Sequence, residues 1–395
     1  MSSKPTQEAV VNHRLPLVIF VLAAGVFLMG TTEFVVAGIL PEIATDLGKS
    51  VGQTGLMITV FAIGMIVGTP AMAALTLKMS RRLALSLSLL VFAVGHVIVA
   101  MSSDFPVILG ARFLTALATG GFWAVSAVVA AQAAGAARSN QAVGIVLGGG
   151  MVANVLGVPL GSFIGQAIGW RGPFWGLAVL SLLGALVMYR MIPKDPPTQN
   201  PPSLKAEIRA LGDPRVLLIL ACCVIVCGAA MTVYSFIAPL LTERAGLPSS
   251  AVPLVLVAYG IGAVIASYVG GRIGDRNPFV LYFGAATGTL LVLVALFFFS
   301  HISIPTVILV TMLGLFGMAT NPVLIGQAVG YAKDAPTLAS AMCTSMFNAG
   351  TAIGTAIAAP TLETSLGVRG PTVVGIAIAV LYFLPLLILV RRPDR

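Results

Sequence analysis

Hydrophobic residues in this chain neither alternate nor recur on one helical face; they come in long runs. The runs fall near residues 15–40, 52–75, 83–102, 105–132, 140–168, 173–192, 216–241, 250–272, 279–300, 303–329, 337–361 and 370–390. A helix needs roughly 20 apolar residues to cross a bilayer, and most runs reach that length. Lipid offers no partner to a free backbone N–H or C=O, so the runs are expected to be helices. Their Gly and Ala content suits close helix packing in lipid.

Composition strengthens this reading. Of the 395 residues, 58% are hydrophobic and 9% are charged, against about 25% charged in a soluble domain. The polar stretch Met1 to Leu15 shows no cleavable signal pattern, and the run that follows is too long for a signal core. The chain should therefore be an all-α integral membrane protein of about twelve spans. One long polar stretch interrupts the runs, from Lys194 to Arg215, with Pro196, Pro197, Pro201 and Pro202. It predicts a division into residues 1–192, a linker at 193–215 and residues 216–395.

Charge sets the orientation. Placing both termini inside puts Lys4, Arg14, Lys78, Arg81, Arg82, Arg138, Arg190, Lys194, Lys205, Arg209, Arg215, Arg272, Arg276, Lys333, Arg391, Arg392 and Arg395 on the inner side. Only Lys49, Arg171, Arg244 and Arg369 then face outward. The positive-inside rule predicts a multi-pass protein of the inner (plasma) membrane with both termini cytoplasmic. It also accounts for the net charge of +9 without a nucleic-acid partner. Cys222, Cys223, Cys227 and Cys343 lie within apolar runs, far from any histidine at ligand spacing, and read as small core hydrophobes.

The chain also repeats itself. A separation of 198 residues, with no gap, pairs Pro41 with Pro239, Gly48 with Gly246 and Ile63-Gly64 with Ile261-Gly262. Two six-helix halves of this kind form a known transporter plan, with the substrate site between them near mid-membrane.

Four motifs sharpen the picture. Gly271-Arg272-Ile273-Gly274-Asp275-Arg276 follows the eighth run, and its first-half counterpart, Ala73 to Lys78, has Leu77 where the acid would stand. Ile108 to Phe113 embeds Arg112 in the fourth run. The fifth run carries Gly148 to Gly150, then Gly157-Val158-Pro159-Leu160-Gly161, and Gly169-Trp170-Arg171 leads into the sixth. Together these resemble the major facilitator superfamily. Gly30-Thr31-Thr32-Glu33-Phe34 with the Leu40-Pro41 ending resembles its bacterial chloramphenicol-resistance and sugar-efflux branch. The resemblance implies two pseudo-symmetric six-helix bundles, a monomer, and proton-driven drug export. It gives Gly271, Asp275, Arg276, Arg138, Gly150, Gly157, Pro159 and Gly161 conformational roles, and places His96 on a peripheral helix as a structural residue.

Only Glu33 and Arg112 lie clearly inside runs as charges. Both sit roughly 10 Å below the outer surface at 1.5 Å per residue, so they can meet if their helices share a cavity. Ionisable groups in a membrane are costly and by default functional, although a structural ion pair is the alternative. The 198-residue separation pairs them with Met231 and Val310, so the repeat does not require them. They are the proton-coupling candidates: protonated Glu33 would release its cation partner, and deprotonated Glu33 would take it back. Thr115, Thr119 and Trp123 share the face of Arg112 and form either a cavity wall or plain packing. Tyr234, Phe236, Tyr259, Asn154 and Asn348 are further candidates for substrate contact.

Gly48-Lys49-Ser50 lacks the first glycine of a phosphate-binding loop, and no strand precedes Gly148 to Gly150. With no hydrolytic triad or metal cluster in the sequence, the chain should be no enzyme and need no cofactor. Its partners should be a small-molecule substrate, protons and the bilayer. The leading reading is export of small, partly apolar molecules such as chloramphenicol-like drugs. A sugar or nucleoside transporter of the same fold is the alternative, disfavoured by few Asn and Gln in the runs. A non-transporting scaffold or sensor is the third, and Glu33 and Arg112 speak against it.

Overall fold

The computed structural model describes residues 15–76, 79–135, 138–192, 212–332 and 336–391. Lys78, Lys333 and most of the expected linker lie outside them. The long helices, in chain order, are α1 Leu17–Gly38, α2 Leu56–Thr76, α3 Arg81–Met101, α4 Phe105–Ala134, α5 Gln141–Ile168 and α6 Arg171–Met191. They continue as α7 Pro214–Tyr234, α8 Val252–Arg276, α9 Pro278–Phe299, α10 Ser303–Tyr331, α11 Pro336–Thr361 and α12 Gly367–Val390.

Polar residues start several of these helices. The first four N–H groups of a helix have no partner within it, so a side-chain oxygen is favoured there. Ser80 accepts from the Leu83 N–H at 3.4 Å, Asp104 from Val107 at 3.3 Å, Asp213 from Arg215 at 2.8 Å and Asn277 from Val280 at 3.2 Å.

Among the described residues, 11 helices are long and apolar enough to cross a membrane. The remaining long helix, α11, has 26 residues but carries Ser340, Thr344, Ser345, Asn348, Thr351 and Thr355. Its neighbours explain this: α11 packs between α7 and α2, so its polar side chains face protein. Lipid-facing positions elsewhere are large and apolar, with Leu254 71% and Ile304 75% exposed.

The repeat is visible in the backbone. Gly48 and Gly246 adopt φ of 60° and 67°, and Gly169 and Gly367 adopt 95° and 52°; each pair is 198 residues apart. These left-handed turns favour glycine, and each half uses them at the same two places. The first and seventh runs also end earlier than their hydrophobicity indicates. α1 stops at Gly38, bends at Ile39 and continues as a short helix, Leu40–Leu47. α7 stops at Tyr234 and bends at Phe236. Pro41 and Pro239 follow these bends, where a missing N–H costs least.

Packing of the halves differs at the two ends. One buried cluster joins both halves, with Val35, Ile39, Met57 and Val158 from the first and Tyr234, Leu256, Val310 and Ala358 from the second. Two other clusters stay within single halves: one holds Ile19, Leu85, Phe122 and Met188, the other Val216, Tyr282, Leu324 and Leu386. The halves are thus fused at the end bearing the short Leu40–Leu47 helix. They separate toward the end bearing Leu17 and Val390.

Candidate functional site

Between the separated ends lies a cavity of about 700 Å³. Its wall comes from both halves and includes Glu33, Phe34, Trp123, Asn154, Tyr234, Tyr259 and Asn321. Most of the lining is apolar, and four of the lining residues carry a buried polar atom with no hydrogen-bond partner among the described residues: Trp123 Nε1, Tyr259 OH, Thr69 Oγ1 and Asn321 Oδ1. Leaving such atoms buried and unpaired is costly, and a ligand would reach them only after the side chains turn toward the cavity. A second void of about 10 Å³, near the volume one water needs, lies between Glu33, Ser235, Asn348 and Thr351.

Glu33 therefore faces both spaces. Among the described residues it makes no hydrogen bond, and it forms no ion pair within 4.0 Å. The contact with Arg112 expected from equal depth is not made in this conformation. Arg112 is fully buried and turns to other partners: Nη1 donates to Thr32 Oγ1 at 2.8 Å and Nη2 to the Thr32 carbonyl at 3.1 Å. The Phe61 ring lies 4.3 Å beneath the guanidinium.

The face of Arg112 on α4 divides. Thr115 and Thr119 are fully buried, and their hydroxyls bond back to the carbonyls of Arg112 and Thr115 at 2.8 Å each. The Thr115 methyl packs closely on Gly95 of α3. Trp123, two turns on, reaches the cavity. Tyr234 and Tyr259 stack at 4.3 Å and line it together, whereas Phe236 is buried against Gly55 at the fused end. Asn154 donates to the Gly150 carbonyl at 3.5 Å and lines the large cavity, and Asn348 donates to the Thr344 carbonyl at 3.1 Å and lines the small void.

His96 departs from its expected place at the periphery. It is 1% exposed, and its Nε2 lies 2.7 Å from Thr32 Oγ1, the same oxygen that accepts from Arg112. Sequence reasoning left Thr32, Thr69, His96 and Asn321 out of the site. The available signal for Thr32 was its position beside Glu33 on a helix whose charged residue demands partners.

The family model described as Major Facilitator Superfamily matches residues 22–337 and 220–395. The chain belongs to the major facilitator superfamily. A chloramphenicol resistance protein of Streptomyces lividans is 37% identical over 362 residues, covering 90% of this chain and 92% of that protein. A probable sugar efflux transporter of Mannheimia succiniciproducens is 31% identical over 333 residues, covering 84% and 83%. The crystal structure of a bacterial homologue of the human lysosomal transporter Spinster, in an inward-facing and unoccupied conformation, superposes with a TM-score of 0.72 at 16% identity. That match covers 96% of this chain and 98% of the other.

This superfamily member is a transporter, not an enzyme, and a multi-pass membrane protein. Its remaining motif residues serve packing and helix ends. An added Cβ at Gly157 would stand 2.0 Å from Thr31 Oγ1, and at Gly161 2.5 Å from Val35, so these glycines let α5 lie against α1. Gly150 packs on the Trp123 ring and Pro159 is buried. Between Gly150 and Pro159 the helix widens into a π turn, Ala153–Gly157, which carries Asn154; such turns gather at functional sites. In the α8 motif the tight packing falls on Gly274, against Val323, with Gly270 just before it against Ala319, while Gly271 has open space. Asp275 and Arg276 are exposed at the end of α8, and Arg138 stands at the N-terminal entry to α5.

Proposed function

We propose that this protein is a proton-coupled exporter of small, partly apolar molecules, with chloramphenicol-like drugs as the first class to test. The observation that carries the reading is Glu33, a carboxyl within the membrane that faces a large, mostly apolar cavity. A similar protein bearing a chloramphenicol resistance name, covering 92% of that protein, supports the drug class.

In this reading residues 1–192 and 216–395 rock against each other about the fused end, and both termini face the cytoplasm. The cavity then opens inward. Substrate enters from the cytoplasm and meets the apolar wall, which includes Trp123, Tyr259 and Asn321. Glu33 loses its proton to the cytoplasm as substrate binds. After the halves rock, Glu33 takes a proton from outside and substrate leaves. Each cycle exchanges substrate outward for protons inward, so the proton gradient drives export.

Sugar efflux is the second reading, because a probable sugar efflux transporter is 31% identical. The test is purified protein in liposomes holding a pH-sensitive dye, challenged separately with chloramphenicol and arabinose. Proton movement with chloramphenicol supports the first reading, and movement with arabinose alone supports the second. Transport of either compound without proton movement refutes the coupling.

A further inference from the structure

The partners of Arg112 form an ordered chain that reaches past the cavity. His96 Nδ1 lies 2.7 Å from the Phe92 carbonyl, which only accepts, so Nδ1 carries a proton. Thr32 Oγ1 lies 2.7 Å from the other ring nitrogen, Nε2. A neutral imidazole accepts the Thr32 hydroxyl proton there, and this turns the oxygen lone pairs toward Arg112 Nη1, 2.8 Å away. Arg112 Nη1, the Thr32 hydroxyl and His96 Nδ1 then each donate to the next acceptor, ending at the Phe92 carbonyl. All three side chains are buried, with His96 1% exposed and Thr32 and Arg112 at 0%.

The charged neighbours fix the state of the ring. From α4 Arg112 approaches through Thr32, which Glu33 follows on α1; α3 itself and α6 contribute the rings of Phe92 and Phe174, at 4.1 Å and 5.8 Å. A cationic His96 would set two positive charges on either side of one hydroxyl, so the ring is neutral while Arg112 is held there. The repeat does not demand the cluster: a 198-residue shift replaces Thr32, Glu33, His96 and Arg112 by Ala230, Met231, Val294 and Val310.

We propose that Thr32 and His96 form a second berth for Arg112. The guanidinium holds it while Glu33 is protonated, and leaves it for the Glu33 carboxylate when that proton departs. This rests on the proton-coupled reading above and adds the partner that Glu33 competes with. Without the berth, Arg112 has less to gain by releasing Glu33, and the carboxylate keeps its cation to more acid pH. Thr32 and His96 are thus positioning residues, which act on the proton through Arg112.

The test is an infrared titration of the purified full-length protein, following the protonated-carboxyl band that Glu33→Gln removes. Thr32→Val and His96→Phe remove the side-chain part of the berth and leave the Thr32 carbonyl to Nη2, whereas Thr32→Ser and His96→Gln keep a hydroxyl or an acceptor in place. A hydrogen bond to a charged group corresponds to a shift of about one to two pH units. The midpoint should move by that much to lower pH in the first pair and by less than about half a unit in the second. Unmoved midpoints in Thr32→Val and in His96→Phe overturn the berth, and either variant alone decides if the other does not fold. A wild-type protein with no Glu33-dependent band that titrates overturns the proton-coupled reading itself.

Discussion

At the fused end, Thr59 on α2 and Thr355 on α11 share a buried hydrogen bond of 2.8 Å between the two halves. Thr355→Val removes the hydroxyl and nearly keeps the shape. Thr59 retains the Gly55 carbonyl at 3.4 Å as an acceptor, so no buried hydroxyl is stranded. The loss is then the net value of one bond, about 1 kcal/mol, and not the 1–3 kcal/mol of an unsatisfied group. That bond exists only while the halves touch here, so the whole loss falls on the closed state. A bias of about 1 kcal/mol changes a two-state ratio about fivefold. The bond from Ser50 to Glu363, 2.7 Å long, also crosses the halves but is solvent-exposed. Water replaces it, and Ser50→Ala should change the ratio less than about twofold. Spin labels at Lys49 and Ser250 report the separation of the halves by double electron–electron resonance. Thr355→Val should raise the open-to-closed ratio about fivefold. An unchanged ratio, or a larger effect from Ser50→Ala, would refute the argument that buried bonds at this end set the conformation.

Gly157→Val drives side-chain atoms into Thr31 on α1 and should lower thermal stability by about 1–3 kcal/mol, read as a fall in melting temperature; an unchanged melting temperature would mean that α1 and α5 are not locked there. Asp275→Asn should slow transport while leaving substrate affinity nearly unchanged, because exposed Asp275 would latch the opposite conformation, and normal turnover rules the latch out. The hydrogen bonds from Arg171 and Trp170 hold Asp46 below the usual carboxylate range. Its folded form is thus favoured at neutral pH and loses that stability as pH falls through its lowered pKa. Asp46→Asn should therefore lower the melting temperature slightly at pH 7, with the gap closing in strong acid; a gap that persists there contradicts the assignment.

Much of this was legible in the chain because lipid permits so few structures. Unbroken apolar runs have to be helices, and the 198-residue repeat reappears as paired left-handed glycines at Gly48 and Gly246 and at Gly169 and Gly367. Glu33 was marked by its charge and Trp123 by sharing the helix face of Arg112, and both line the cavity; Tyr259, which also lines it, stood out only as an aromatic within a run. The rest depended on side-chain direction. Equal depth brought Glu33 and Arg112 within reach of each other, but not the rotamer that sends the guanidinium to Thr32. His96 sat in an apolar run with no polar neighbour in sequence, since its partner Thr32 comes 64 residues earlier. Thr115 and Thr119 matched the period of Arg112, yet a threonine hydroxyl satisfied by its own helix carbonyl leaves only a methyl to pack. The bends at Ile39 and Phe236 fell within runs whose hydrophobicity did not change.

Coupling through Glu33 is the central claim, and one measurement reaches it directly. Proteoliposomes containing only this protein are given a pH gradient, and substrate accumulation against its own gradient is followed. Wild-type protein should concentrate substrate. Glu33→Gln keeps the shape of the side chain and removes its titration, so it should bind substrate and exchange it downhill but fail to concentrate it. Accumulation by Glu33→Gln under the pH gradient alone would contradict the account.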